Sequence, residues 1–371
     1  MQRALDLARN APAPTSPNPT VGAVIVAAGG SVAGEGVTQP RPGPHAEPIA
    51  LQQAGERARG ATMYVTLEPC CHHGLTPPCT DAIIAAGIAE VHYAAGDPDP
   101  NVDGGGRRAL EAAGIRAVAG EGEAEARLIN EAFFKHRTQG MPFVIAKFAA
   151  SLDGRIAAAS GDSRWVSGPE TRRWAHQLRT RVDAIIAGSS TVVVDDPLLT
   201  ARPDDRDADR QPLRVVIDTR GRTPPMARVF TPSSVSGGGS AATLVATVAD
   251  SPAAWRAALQ ARGAEVVIFP RLGDHVDPFA LLKELARRDI LSALVEGGGV
   301  LLGSLFDQSL VDKLHAVIAP LIIGAADAPA AVAGKGAYRM ADALRLRDVT
   351  VERLGEDVLV TGYPMYGRPG E

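Results

Sequence analysis

The chain has 371 residues, 45% of them hydrophobic and 22% charged, with a formal net charge of −4. That length exceeds what one hydrophobic core ordinarily supports, so two domains are expected in a globular protein. No basic excess exists for grasping a nucleic-acid backbone, and no stretch is long and apolar enough to span a bilayer, so neither nucleic acid nor membrane is expected as a partner.

The opening Met1 to Ala11 reads as a helix without the apolar centre of a secretory signal, and a cytoplasmic location is expected. An apolar strand follows at Gly22 to Val26, then a helix through Ala50, Leu51 and Ala54, a strand at Thr62 to Thr66 and a helix near Asp81 to Ala86. A strand at Glu90 to Ala95, a helix around Arg107 to Ala113 and a strand near Ile115 to Val118 continue the alternation, which implies a layered α/β domain. Glu121 to Lys135 reads as one closing helix, and Gln139-Gly140-Met141-Pro142 punctuates the chain, which places a domain boundary near residue 140.

The second region repeats the pattern. Strands are expected at Phe143 to Phe148, Ala184 to Ala187, Leu213 to Asp218, Thr243 to Thr247, Glu265 to Phe269 and Leu291 to Glu296, with helices at Pro169 to Thr180, Pro252 to Arg262 and Pro278 to Arg288. The charged Arg202 to Arg210 and the small-residue run Ser233 to Ala242 read as exposed loops.

Only three cysteines occur, Cys70, Cys71 and Cys79, and their clustering argues for a local thiolate site rather than a disulfide framework. With His45 in Pro44-His45-Ala46-Glu47, two of them make a three-ligand zinc site whose fourth tetrahedral position stays open, the mark of a catalytic rather than a structural zinc. Such a zinc brings the pKa of water from about 15.7 towards roughly 7. In zinc deaminases the glutamate two residues beyond the histidine is not a ligand but shuttles the proton to the leaving nitrogen, which assigns Glu47 as general acid/base. Cys71 can replace Cys70 as ligand, and a fourth ligand from His72 or His73 would instead close the site and make a binding module with structural zinc.

In the second region no G-x-G-x-x-G stands between a strand and a helix, so a Rossmann site is not supported. The glycines Gly297, Gly298 and Gly299 follow Val295-Glu296 and precede Leu301-Leu302, where backbone amides can approach a cofactor pyrophosphate at a helix start.

The usual deaminase signature has two residues between its cysteines, whereas Cys70 and Cys79 enclose eight. The stretch TLEPCCHHGLTPPCT resembles that of the riboflavin-pathway deaminases. Ala149-Ala150-Ser151-Leu152-Asp153-Gly154-Arg155, Gly188-Ser189-Ser190-Thr191-Val192 and Asp195-Asp196-Pro197-Leu198-Leu199-Thr200-Ala201-Arg202 resemble the reductase half of the same enzymes. Nearly the whole chain therefore resembles the bifunctional deaminase/reductases of riboflavin biosynthesis. The resemblance implies a cytidine-deaminase-like three-layer α/β/α domain over residues 1–140, and a dihydrofolate-reductase-like α/β domain over residues 141–371.

The resemblance also places the ligand directly after Pro69, making the zinc set His45, Cys70 and Cys79, and gives Asn18 and Asp97 the task of holding the substrate. It puts Ser163, Arg179, Asp195, Leu199, Arg202 and Glu296 at substrate positions, with Lys147 in the same cluster. Ala149, Trp165, Thr191, Asp195, Gly297, Gly298 and Gly299 fall at NADPH positions. Thr38 stands where the family often has a histidine and Asp99 where asparagine is common, departures that touch substrate contacts and not the zinc set. The implied reactions are hydrolytic deamination of a diaminopyrimidinone ribosyl phosphate, then NADPH reduction of the aminouracil's ribosyl group to ribityl, with Asp195 helping the ring-opened imine to form. A homo-oligomer, dimer or tetramer, is implied as well. The competing expectation is a zinc nucleoside or tRNA deaminase with a non-catalytic C-terminal nucleotide-binding domain.

Overall fold

The computed structural model describes residues 1–100, 102–231 and 242–367; of the expected loop at Ser233 to Ala242, residues 233–241 lie outside these. The chain divides into two compact units, Met1–Met141 and Pro142–Glu371.

The first unit runs α1 (Gln2–Arg9), β1 (Gly22–Val26), β2 (Val32–Val37), α2 (Ala46–Ala54), β3 (Thr62–Leu67), α3 (Cys79–Ala86), β4 (Glu90–Ala95), α4 (Gly105–Ala112), β5 (Arg116–Ala119), α5 (Glu123–Ile129) and α6 (Glu131–Gln139). Its five-stranded sheet has the order β2-β1-β3-β4-β5, antiparallel around β1 and parallel from β3 to β5. Ala23, Ile25, Met63, Val65 and Val91 are fully buried in it, and the helices cover its faces.

Strand β2 carries no run of branched residues that would mark it in the sequence. Its glycines are there for the helix behind: a Cβ on Gly34 would stand 2.1 Å from the Ala50 carbonyl oxygen, and one on Gly36 2.1 Å from that of Ala46. Helix α2 thus lies directly on the strand backbone, a contact only glycine permits. The single closing helix expected over Glu121 to Lys135 is two helices, α5 and α6, broken at Asn130. Asn130 leaves the helical path because its amide serves a distant loop, Oδ1 accepting from Thr20 N at 2.7 Å and Nδ2 donating to Thr20 O at 3.0 Å.

The second unit is built on a nine-stranded sheet. Its strands are β6 (Phe143–Ser151), β7 (Ala184–Gly188), β8 (Leu213–Ile217), β9 (Thr243–Thr247), β10 (Glu265–Ile268), β13 (Ser292–Val295), β14 (Lys313–Ala319), β15 (Arg345–Leu354) and β16 (Asp357–Met365), with a separate hairpin of β11 (Arg271–Leu272) and β12 (His275–Val276). The order is β10-β9-β8-β7-β13-β6-β14-β16-β15, parallel from β10 to β14 and antiparallel in the last two strands. Helices α7 (Pro169–Thr180), α8 (Ser189–Asp195), α9 (Ala253–Ala261), α10 (Pro278–Arg287) and α11 (Gly299–Asp307) make the crossovers and strand ends.

The parallel strands read as continuous apolar runs, as strands covered on both faces do. Strands β14 to β16 and helix α8 have no assignment in the sequence reading; β15 is mostly exposed and its charges hide its register. Asp357 joins this late hairpin to α7, accepting from Gly168 N at 2.8 Å and Thr171 Oγ1 at 2.6 Å.

Candidate active sites

In the first unit, His45 is the N-cap of α2, in extended backbone, and Cys79 is the first residue of α3. Cys70 stands in the loop after β3. The ligand atoms of His45, Cys70 and Cys79 all lie within 4.8 Å of one another, and among the described residues no fourth His, Cys, Asp or Glu joins them. His45 Nδ1 is 3.3 Å from Cys79 Sγ and 3.6 Å from Cys70 Sγ, while Cys79 N–H donates to Cys70 Sγ at 3.4 Å.

Hydrogen bonding from Cys79 and His45 holds the Cys70 thiol down at about 4, whereas the hydrogen bond to Cys70, then burial, pushes the Cys79 thiol up. The donor set of one imidazole and two sulfurs fits zinc. A cation entering it displaces the proton that the sulfur pair retains. Cys71 turns elsewhere: a Cβ on Gly105, at the start of α4, would sit 2.6 Å from its sulfur. His72 and His73 are exposed.

Glu47 lies in the first turn of α2 and is 4% exposed. Burial, aided by the Cys70 charge, pushes its carboxyl up to about 6, so it can both hold and release a proton near neutral pH. Asp97 is raised to about 7, again chiefly by burial, and accepts from Asp99 N at 2.9 Å. Asn18 sits in the loop that Asn130 clamps at Thr20. Thr38 is buried with its hydroxyl against the Val21 backbone, accepting from Val21 N at 3.1 Å. Asp99 is ion-paired to Arg137 at 3.4 Å.

One residue of this site escaped the sequence reading. Glu68 is buried, and its carboxylate accepts from Gly104 N at 3.2 Å and Arg107 N at 2.9 Å, tying the ligand loop to the start of α4. Its place in Leu67-Glu68-Pro69-Cys70 was the available signal: a charged residue where a buried strand meets the metal loop.

The second unit holds a cleft of 370 Å³ at the carboxyl ends of its parallel strands, where such sheets bind ligands. Of the expected residues it gathers Ser163, Thr191, Asp195, Gly298 and Gly299. Ser163 Oγ donates to Asp195 Oδ1 at 2.7 Å. A Cβ added at Gly188 or Gly298, both on the cleft wall, would meet nothing within 4 Å, so bare backbone faces open space that a cofactor can enter closely.

A buried polar group forms beside the end of β13. Arg179 pairs with Glu296 (Nη2 to Oε2, 2.7 Å), Lys147 Nζ lies 3.9 Å from Glu296 Oε1, and Arg179 also donates to Thr200 O at 3.0 Å. Burial opposes the charge on Glu296, but Arg179 and Lys147 hold its carboxyl below the usual range; burial lowers Lys147. Glu296 Oε1, Thr200 Oγ1 and Arg202 Nε are buried without a hydrogen-bond partner. Three such atoms in one neighbourhood mark a place where a polar ligand belongs.

His176, lowered to about 4 by burial and by Arg179, accepts from Arg202 N at 3.2 Å. His176 and Thr200 join this group although the sequence reading singled out neither. Leu199 is buried with φ of +52°. Ala149 pairs with Val317 across β6 and β14, Gly297 packs under Leu301, and Trp165 is 68% exposed beside Arg172. These four stand outside the residues lining the cleft.

Two family models match the chain: the cytidine and deoxycytidylate deaminase zinc-binding region over residues 1–95, and the RibD C-terminal domain over residues 142–360. The riboflavin biosynthesis protein RibD of Escherichia coli is 40% identical over 368 residues, 96% of each chain, and that of Aquifex aeolicus is 40% identical over 97% of this chain and 96% of its own. Among solved structures, Acinetobacter baumannii RibD (form 1) superposes with a TM-score of 0.87 at 36% identity, covering 98% of both chains. The diaminohydroxyphosphoribosylaminopyrimidine deaminase/5-amino-6-(5-phosphoribosylamino)uracil reductase of Thermotoga maritima superposes at 0.83 with 32% identity, covering 98% of this chain and 97% of its own.

Proposed function

Since the chain belongs to the family of the riboflavin biosynthesis protein RibD, we propose that its first unit deaminates the diaminopyrimidinone ribosyl phosphate and its second reduces the ribosyl group of 5-amino-6-(5-phosphoribosylamino)uracil to ribityl with NADPH. The observation that carries this reading is the three-donor cluster of His45, Cys70 and Cys79 beside buried Glu47, in a chain whose relatives match it over both units.

Zinc, when held by those three residues, supplies an activated water to the ring carbon. The protein does the rest. Glu47 takes a proton from the water and delivers it to the exocyclic nitrogen, so that ring carbon gains oxygen and ammonia leaves. Asn18, in the loop before β1, and Asp97, in the loop after β4, are assigned to hold the pyrimidine.

NADPH, when bound, supplies the hydride to the opened sugar. Thr191, Asp195 and the glycines Gly297 to Gly299, with Ala149 and Trp165, are its assigned contacts. Arg179, Arg202 and Glu296, with Ser163, Leu199 and Lys147, are assigned to the substrate: arginines suit its phosphate and a carboxylate its ribose hydroxyls. Arg202 Nε and Glu296 Oε1, buried without a hydrogen-bond partner, support that division. Asp195, which accepts from Ser163 Oγ, is assigned to assist ring opening.

The competing reading, a nucleoside or tRNA deaminase with an inert appendage, is disfavoured by relatives that carry both units under one name. Among the described residues no helix is long and apolar enough to cross a membrane. A cytoplasmic homo-oligomer acting on a small pyrimidine ribosyl phosphate completes the proposal. The test is a coupled assay on zinc-loaded protein. Ammonia release and NADPH oxidation should both appear, with oxidation depending on deamination, and ammonia alone would remove the second activity.

A further inference from the structure

Resting on the reading of the second unit as an NADPH reductase, we infer that Arg222, assisted by Arg220, holds the phosphate on the adenosine ribose and so selects NADPH over NADH. Both arginines line the cleft, on the turn that follows β8. The turn is built rigidly. Asp218, fully buried, accepts from Thr223 N at 2.6 Å and Arg220 N at 3.2 Å. Gly221 adopts φ of +68° with Pro252 and Trp255 packed where a Cβ would go, at 2.9 and 3.1 Å, and Trp255 Nε1 donates to Thr223 O at 2.8 Å. Thr219 Oγ1 accepts from Val276 N at 3.0 Å, fastening the turn to the neighbouring hairpin.

On this frame Arg222 extends to two hydroxyls at the end of the neighbouring strand β7, Ser189 Oγ at 3.0 Å and Ser190 Oγ at 3.1 Å. Among the described residues neither Arg222 nor Arg220 is ion-paired with a carboxylate. A guanidinium held in place by neutral hydroxyls and facing a cavity is prepared for an anion, which it can take bidentately. The cleft has another feature suited to phosphate, the bare backbone at Gly298, the N-cap of α11. The two belong to different strands: the glycines follow β13, and the arginine turn follows β8, with β7 between them. With the cofactor pyrophosphate assigned to the first, the arginine turn is left for the one phosphate that distinguishes the two nicotinamide cofactors.

The experiment is calorimetric titration of the full chain, zinc-loaded, with NADPH and with NADH. For the unaltered protein NADPH should bind at least about ten-fold tighter, as expected for a charge-assisted contact. Arg222→Ala should weaken NADPH about ten-fold or more and leave NADH within about two-fold, with ammonia release unchanged as evidence that the chain is folded. Equal weakening of both cofactors, or of neither, overturns the inference. A second measurement needs no variant: adenosine 2′,5′-bisphosphate should displace bound cofactor more strongly than 5′-AMP, and equal displacement overturns the inference. An unaltered protein that binds neither cofactor removes the reductase reading itself, a result distinct from loss of selectivity.

Discussion

Replacing Gly36 by alanine tests whether the seat of α2 positions the deaminase site. The added Cβ would lie 2.1 Å from Ala46 O, 2.8 Å from Ala50 N and 3.0 Å from Ile49 Cβ, two of which are backbone atoms of the helix. Comfortable carbon contacts lie near 3.5–4.0 Å, so α2 must retreat by roughly 1 Å. Overpacking of this kind costs about 1–3 kcal/mol. Ala46 stands between His45 and Glu47, so the displacement reaches a metal donor and the proton carrier together. A misplacement of about 1 Å lowers rates by roughly 10²-fold. The assay follows ammonia release and bound zinc for Gly36→Ala, with NADPH oxidation on supplied deaminated intermediate as the control from the other unit. Deamination, zinc content and unfolding midpoint all at their unaltered values would refute the claim that this contact sets the site.

Glu47→Gln should lower ammonia release by about 10²–10⁴-fold, the range of general acid–base catalysis, and leave reduction of the supplied intermediate intact. Loss of both activities in a folded variant would contradict two separate sites. Zinc titration of metal-free protein should release protons, because Cys79 retains its proton beside the Cys70 thiolate; metal uptake at pH 7 without proton release would contradict that assignment. The second unit should lose stability in acid through His315. Burial, then Lys313 and Lys147, hold its pKa at about 4, so as pH falls from about 6.5 the unfolded chain takes up a proton that the folded one refuses. The loss approaches about 3 kcal/mol near pH 4. All three tryptophans, Trp165, Trp174 and Trp255, lie in this unit, so urea midpoints read by their fluorescence isolate it. His315→Gln should shrink the drop, and an unchanged drop would refute the assignment.

How far the site was legible differs between the units for a physical reason. The zinc donors announce themselves because cysteine and histidine chemistry is scarce in this chain and the ligands fall within two short segments. Strands that are plain apolar runs were legible too: β1, β4 and β9 keep their sequence-read bounds. Elements defined by partners were not legible. Strand β2 is glycines fitted to a helix, the α5–α6 break serves Thr20 more than a hundred residues away, and β15 shows its partners only through pairing with β16. In the reductase unit, polar residues common at any surface acquire meaning by convergence. Nothing local distinguishes His176 or Thr200 from solvated polar residues, and Arg222 shows its interest only once Ser189 and Ser190 stand opposite it.

The same construction positions both sites. In the first unit α2 rests on Gly34 and Gly36, and its first turn carries His45 and Glu47. In the second, α11 rests on the segment around Ala330 and Ala333: a Cβ on Gly299 would stand 2.3 Å from Ala330 O, one on Gly303 1.0 Å from Ala333 O, and Ala333 N donates to Gly299 O at 2.9 Å. The cleft glycine Gly298 is the N-cap of that helix. A helix held by backbone contact cannot slide without breaking it, whereas one held by long side chains can adjust through their rotamers. Preorganisation of the helix starts therefore comes from glycines with no chemistry of their own. Gly303→Ala, the more crowded of the α11 positions, should then weaken cofactor binding while ammonia release persists, the mirror image of Gly36→Ala. Retention of cofactor affinity in a folded Gly303→Ala protein would show that α11 takes its place from the sheet alone.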